Sequence, residues 1–452
     1  DLCHKSDFCP ALIASGEGPE FSPPSEVLRQ LLGVRSPEVA LLPAHDFGEL
    51  ALLGLGEGGG WRGPGLRTGS RGRRRSGFSG RLRADERCDQ EKDCRGDRHM
   101  RGHRGKGTRG AILCSPQMAH DPLTGGGTPE GLLGVNLAGI RLRNPVMLAA
   151  GTAGTLDEMS GVLDLSRVGA VVTKSITADP REGNPTWRII PSGHGMLNAI
   201  GLANVGIDAF VRDYASRVGG VPTAVVGSIS EFSVEGYVRV AAAFEAIAGM
   251  VGVELNVSCP NVNHGCEFGS DVGLLSELVR EVRRVLPTKR LFVKLSPVVM
   301  GQPGVVAIAR AAIEPVGGVP SGPNGRPGAD AVCLANTVPA MAIDVRTRRP
   351  RLARGSGGLS GPGIHPIAVK LVHDAYRGVC KETGTPIIGI GGVIRWEDAA
   401  EFVLAGATAV EMGTALFADP RSPIGVVKGL ERWVRAQGAS NISELTGAVV
   451  VG

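Results

Sequence analysis

From about Gly131 onward the chain alternates two kinds of apolar segment. Short, nearly continuous runs of Val, Ile, Leu and Ala are separated by longer stretches whose apolar residues recur three or four apart. The first pattern is that of strands buried on both faces, and the second marks one face of a helix. Runs at 145–150, 170–175, 223–229, 253–258, 291–296, 331–337, 386–391 and 409–414 predict eight strands. Helical spacing predicts helices over 234–247, 274–286, 305–313, 364–379 and 396–405, with a last one near 425–437. Strands alternating with helices in this number predict an α/β fold, a closed parallel (β/α)8 TIM barrel, with an open doubly wound sheet as the alternative. The Gly- and Pro-rich connection 314–330 precedes the sixth strand, which puts it on the bottom face, away from the expected site.

Residues 1–128 show neither pattern. Gly, Pro and Arg interrupt every short apolar piece there. Segment 62–109 holds sixteen Lys/Arg against six Asp/Glu, an excess of ten in a chain whose net charge is +5. The basicity therefore belongs to this segment, and the remainder is mildly acidic. A Gly/Arg-rich, low-complexity extension cannot offset its ordering entropy by burial, so 1–128 is expected to be disordered and 129–452 to form the barrel domain. RNA binding through 71–75 is an alternative. Without interleaved aromatic residues for base stacking, nucleic acid is not an expected partner.

Composition excludes other classes. The nine cysteines lack paired zinc spacings, Cys88 and Cys94 being too far apart for a half-site, so a reducing, cytoplasmic setting is expected. No apolar run approaches the roughly 20 residues that span a bilayer, and no secretory signal pattern opens the chain.

In such a barrel the chemistry sits where strands give way to loops, and the polar residues there form a short set. Lys174 and Ser175 end the second strand, Asn256 and Cys259 the fourth, Lys294 lies in the fifth, and Asn336 and Thr337 end the sixth. Pro260 forces the fourth strand to stop. The loop 261–270 beyond it, with His264 and Cys266, reads as a mobile cover. Buried lysines are costly without an anion, so Lys174 and Lys294 together imply a bound negative group. Gly357–Gly361, Gly391, Gly392, Gly413 and Thr414 offer backbone N–H groups after the late strands, where barrels commonly bind phosphate.

A mononucleotide flavin fits this set, with the lysines stabilising the negative charge of the reduced ring. Cys259 would then remove a proton on the opposite face of the substrate, if its pocket favours the thiolate. Taken singly, each feature has a plainer reading. A strand cysteine is usually a structural thiol, strand-end lysines snorkel, a glycine cluster makes a turn, and a loop histidine such as His264 is solvated.

The motifs GNPTWR (183–188), MLNAIGLANVG (196–206), ELNVSCPN (254–261), VKLSP (293–297), GGLSGPG (357–363) and IIGIGGV (387–393) resemble class 1 dihydroorotate dehydrogenase catalytic subunits from about Gly131 to the C-terminus. The resemblance implies oxidation of (S)-dihydroorotate to orotate in pyrimidine synthesis. Cys259 matches the base that takes the C5 proton while the C6 hydrogen leaves as hydride. Lys174, Ser175, Asn256, Lys294, Gly361, Gly391, Gly392, Gly413 and Thr414 match the FMN-binding positions. Lys174, Asn198, Ala199, Ile200, Gly201, Leu202, Asn256, Asn336 and Thr337 match those that hold orotate. No metal site is implied.

The segment NAIGL at 198–202 is more similar to the 1B branch than to the fumarate-using 1A branch. The 1B resemblance implies an electron-transfer subunit with FAD and a 2Fe-2S cluster that passes electrons to NAD. It also implies a homodimeric core within a hetero-oligomer. A related barrel acting on another pyrimidine, like that of dihydropyrimidine dehydrogenase, is the alternative. Two positions depart from the family pattern: Ala150 replaces a frequent serine, and the end of strand three at Gly227 and Ser228 lacks an asparagine.

Overall fold

The computed structural model describes residues 131–258, 267–297, 303–317 and 321–450. Cys259, His264, Cys266 and the extension 1–128 lie outside the described residues. Eight parallel strands close into a barrel: β1 (Val146–Leu148), β2 (Ala170–Val172), β3 (Ala224–Ile229), β4 (Met250–Asn256), β5 (Arg290–Lys294), β6 (Ala331–Leu334), β7 (Ile387–Ile390) and β8 (Ala409–Met412). Each strand pairs with the next, and β8 closes on β1. All eight predicted runs are therefore barrel strands, each bounded within a few residues of its expected ends.

The strands are apolar because both faces are covered. Outward residues meet a ring of helices: α1 (Ile207–Asp213), α2 (Val234–Glu245), α3 (Val272–Val285), α4 (Val305–Ile313), α5 (His365–Ala375), α6 (Trp396–Ala405) and α7 (Ser422–Ala436). Gly227 faces α2 so closely that a Cβ there would lie 2.6 Å from the Phe244 ring. Helix starts are written locally. Ser233 accepts from Gly236 N at 3.1 Å, and Asp271 accepts from Leu274 N at 2.8 Å, each satisfying a donor that the first helical turn leaves open.

Three features depart from the sequence expectation. The crossover from β1 to β2 carries two 3-10 turns, Glu158–Gly161 and Leu165–Arg167, instead of an α-helix. Helix α5 ends at Ala375 and passes into a π-helical turn, Tyr376–Cys380. Gly357–Ser360, expected as a loop, is a strand in a four-stranded antiparallel sheet with Val338–Ala340, Gly195–Asn198 and Ile189–Ser192. Glycine is required there for close approach: a Cβ on Gly195 would lie 2.0 Å from Ser360 O, and one on Gly357 2.2 Å from Asn198 O.

A hairpin, Val135–Leu137 with Ile140–Leu142, buries Val135, Leu137, Ile140 and Leu142 and exposes Asn136 and Arg141. Asn324 of the long connection before β6 donates to Ala138 O of this hairpin at 2.7 Å, which keeps that connection at the N-terminal end of the barrel. The same connection is tied down by Arg283. This side chain is 1% exposed and donates to Gly328 O at 2.8 Å and to Asp330 Oδ2 at 2.6 Å.

Candidate active site

A cavity of about 220 Å³ opens at the C-terminal ends of the strands, between the barrel and the second sheet. Lys174, Ser175, Asn198, Ile200, Leu202, Asn256, Lys294, Asn336, Thr337, Gly361, Gly391, Gly392, Gly413 and Thr414 all line it. Ala199 and Gly201 alternate out of the wall. Ala199 N donates to Arg188 O at 2.8 Å, and Gly201 O accepts from Arg181 Nε at 3.4 Å. Ala150 lines the cavity as well, whereas Ser228 lies just below it.

One side of the cavity is an amide cluster. Asn336 Nδ2 donates to Asn256 Oδ1 at 2.9 Å, and Asn336 Oδ1 accepts from Thr337 N at 2.8 Å. Tyr237, buried below, donates to Asn256 O at 2.7 Å and fixes the end of β4. Among the described residues no acceptor is paired with Asn256 Nδ2, so this donor remains for a ligand. Asn198, from the second sheet, donates to Gly358 O at 3.3 Å, which places it opposite.

The other side is a backbone cradle. Gly361, Gly391 and Gly392 have φ values of 92°, 141° and 69°, which L side chains rarely adopt. A Cβ on Gly392 would lie 2.8 Å from Gly361 O. Among the described residues no protein acceptor is paired with the N–H groups of Gly392, Val393, Gly413 or Thr414. His365 Nδ1 lies 2.8 Å from Gly391 O and holds that loop from behind.

The two lysines differ. Lys174 has no carboxylate partner among the described residues. Burial, with the Arg188 charge added, holds its pKa below the usual lysine value. An anion in the cavity would favour its charged form. Lys294, by contrast, is already balanced within the protein, with Glu411 Oε2 at 3.5 Å and Glu254 Oε1 at 3.9 Å. Burial opposes its charge, yet these carboxylates raise its pKa above the ordinary value. The expectation that both lysines call for a bound anion is thus corrected: Lys174 does, and Lys294 has its counter-ions beneath it.

Sequence reasoning missed these counter-ions and Arg188. Glu254 and Glu411 sit inside apolar strand runs, and only their charge in a stretch buried on both faces marked them. Arg188, the cation that acts on Lys174, donates to Glu182 O at 3.1 Å and Asn184 O at 3.3 Å and so braces its own loop.

Fold and site together define a barrel enzyme whose mouth offers an anionic ligand an amide cluster, an N–H cradle and a lysine without a carboxylate partner among the described residues. A family model described as dihydroorotate dehydrogenase matches residues 132–434, and the chain belongs to that family. It is 43% identical over 318 residues to the dihydroorotate dehydrogenase B (NAD(+)) catalytic subunit of a Geobacter species, covering 70% of this chain and 98% of that protein. A protein of the same name from Bacteroides thetaiotaomicron is 39% identical over 320 residues, covering 71% and 99%. A protein of Solibacter usitatus, named provisionally as dihydroorotate dehydrogenase A (fumarate), is 43% identical over 323 residues, covering 71% and 99%.

Proposed function

We propose that the chain oxidises (S)-dihydroorotate to orotate in pyrimidine synthesis, with FMN as its cofactor. The observation that carries this reading is the cavity that gathers Lys174, Asn198, Asn256, Asn336 and Thr337 against the cradle of Gly361, Gly391, Gly392, Gly413 and Thr414. The cradle suits a phosphate, because open N–H donors and positive-φ glycines let backbone approach an anion closely. Lys174, with Ser175, Asn256 and Lys294, suits the polar edge of a flavin ring. Bound FMN supplies the acceptor for the hydride that leaves C6 of the substrate.

Asn198, Asn256, Asn336 and Thr337, with the backbone of 198–202, hold the pyrimidine by its amide and carboxylate groups. Lys174 neutralises that carboxylate in a site where burial makes the pairing strong. Cys259, three residues past the last residue of β4, takes the C5 proton as thiolate. Electrons then pass to NAD through a second subunit carrying FAD and a 2Fe-2S cluster, attached to a homodimeric core in the cytoplasm. Support for this acceptor is that two of the relatives above are named as NAD-linked catalytic subunits. No helix among the described residues is long and apolar enough to cross a membrane.

The test is the visible spectrum of the purified protein. Flavin absorbance that bleaches with dihydroorotate and not with dihydrouracil is expected. A colourless protein, or bleaching by dihydrouracil instead, would overturn the reading. Reoxidation by fumarate without any second subunit would assign the acceptor to the 1A type.

A further inference from the structure

Beneath the cavity floor the barrel interior is charged where apolar side chains are the rule. Glu254 on β4, Lys294 on β5 and Glu411 on β8 point inward, and the two carboxylates are 0% and 1% exposed. Cys333 of β6 completes the layer, its sulfur and one oxygen of each glutamate lying within 4.8 Å of one another. On the far side of Glu254, Ser228 of β3 reaches its Oε1 at 3.5 Å and also hydrogen-bonds Ser175 at 2.9 Å. Lys294 is the member of this layer that reaches the cavity wall.

Charge counting sets the problem. One ammonium against two ionised carboxylates leaves a net negative charge sealed in the barrel, which low dielectric makes very costly. Hydrogen bonding sets the same problem. Glu254 Oε2 and Glu411 Oε1 are both buried without a donor, and an oxygen of each side chain lies within 4.8 Å of one on the other. Ionised carboxylates only accept. A single proton on the pair supplies the missing donor and neutralises the layer. Lys294 cannot supply it to both orphaned oxygens, since it faces Oε1 of Glu254 and Oε2 of Glu411.

We propose that Glu254 and Glu411 share one proton against Lys294, and that Glu411 is thereby a positioning residue which sets the charge felt at the floor of the flavin site. The inference rests on the flavin reading above. While the proton is held, the layer is neutral and Lys294 presents its charge upward. When it is lost, Lys294 is outweighed from below, and negative charge arriving at the cavity is opposed. Reduction of the bound cofactor adds such charge, so it favours the protonated pair.

Titratable groups facing Glu411 inside the barrel are Glu254, Lys294 and Cys333. The neighbouring strands β7 and β1 contribute only Ile387, Ile388, Gly389, Ile390, Val146, Met147 and Leu148. Burial, with Glu254 beside it, pushes the Glu411 carboxyl above the ordinary range against the pull of Lys294. The same surroundings raise the Cys333 thiol well above its usual value, so the cysteine stays protonated and does not compete.

The experiment is a titration of the flavin midpoint potential of the holoenzyme between about pH 6 and about pH 10, in the native protein and in Glu411→Gln. Glutamine mimics the protonated acid and cannot lose the proton. The two potentials should coincide at the acid end. They should separate at the alkaline end, with Glu411→Gln more positive and its oxidised-to-reduced ratio at a fixed potential lower by roughly tenfold, the order expected for one unit charge in a low-dielectric site. Parallel curves over the whole range, or a more negative Glu411→Gln at alkaline pH, would overturn the proposal.

Glu254→Gln, the other half of the shared site, should behave alike if Glu411→Gln fails to fold. Infrared spectroscopy of the native protein needs neither variant nor flavin. A buried protonated-carboxyl band at about pH 6 that disappears at alkaline pH is expected, and its absence overturns the shared proton. A protein with that band but no flavin would sink the flavin reading alone.

Discussion

Lys174 is partly buried beside Arg188, and among the described residues no carboxylate answers it. A cation so placed stores binding energy for an anion, since ligand binding relieves both its desolvation and the repulsion from Arg188. Lys174→Met should therefore weaken binding of orotate by about 10- to 100-fold, the loss of one charge-assisted contact in a dry site. Flavin should remain detectable because the glycine cradle is untouched. Equilibrium titration of flavin absorbance with orotate checks this, and unchanged affinity would move the anion site elsewhere. Cys259 invites a different experiment. If it takes the C5 proton, Cys259→Ala should retain flavin and lower the rate of bleaching by dihydroorotate by about 10²- to 10⁴-fold, the usual worth of a positioned base. Stopped-flow reduction at several pH values measures it, and a rate within a few-fold of the native one would place the base on another residue.

The elements differ in how plainly the sequence announces them. Strands buried on both faces must be apolar throughout, so β1 to β8 were readable as uninterrupted runs, and even Glu254 and Glu411 did not break the pattern. The second sheet obeys the opposite rule. Gly357 and Gly195 give no β signal, because a side chain is excluded where two backbones nearly touch, and at Gly358 it is excluded by the Thr337 side chain. Asn198, on the same sheet, was found only through its motif. Polar side chains at strand ends were legible one by one. Their pairing, such as Asn256 with Asn336 or Lys294 with Glu411, depends on barrel closure between residues 80 and more than 100 positions apart and left no local trace. The glycine rule is testable. In Gly195→Ala the new Cβ would lie 2.0 Å from a backbone oxygen, Ser360 O, with no side chain able to rotate away. Strand 357–360 would have to shift, at a cost of about 1–3 kcal/mol and with loosening of the cavity roof. Urea unfolding together with limited proteolysis over 189–198 should show both effects; stability equal to the native protein would mean that the two strands can separate freely.

On the scale of the whole molecule, the question is where the working unit starts. The described fold begins at Gly131 and at once forms the hairpin whose Val135, Leu137, Ile140 and Leu142 are 1–2% exposed. The first and last parts of the described fold meet there: Ile442 N donates to Leu132 O at 2.9 Å, and Asn441 Nδ2 donates to Gly131 O and Gly134 O at 3.0 Å. The family match likewise starts at residue 132. We propose that residues 129–452 are the catalytic unit and that 1–128 add nothing to its core. A chain starting at residue 129 should therefore keep its flavin, its turnover and its unfolding midpoint. One starting at residue 145 loses, besides buried Leu133 and Asn144, the hairpin's four buried apolar side chains, worth about 1.5–3 kcal/mol each. The total is on the order of 6–12 kcal/mol, comparable to the roughly 5–15 kcal/mol that holds a typical domain together. That shorter chain should fail to fold or bind flavin, a contrast that urea titration of the two truncations reads directly. If the chain starting at 129 were itself unstable, the core would extend into the first 128 residues; if the one starting at 145 were as stable as the full chain, the hairpin would be dispensable.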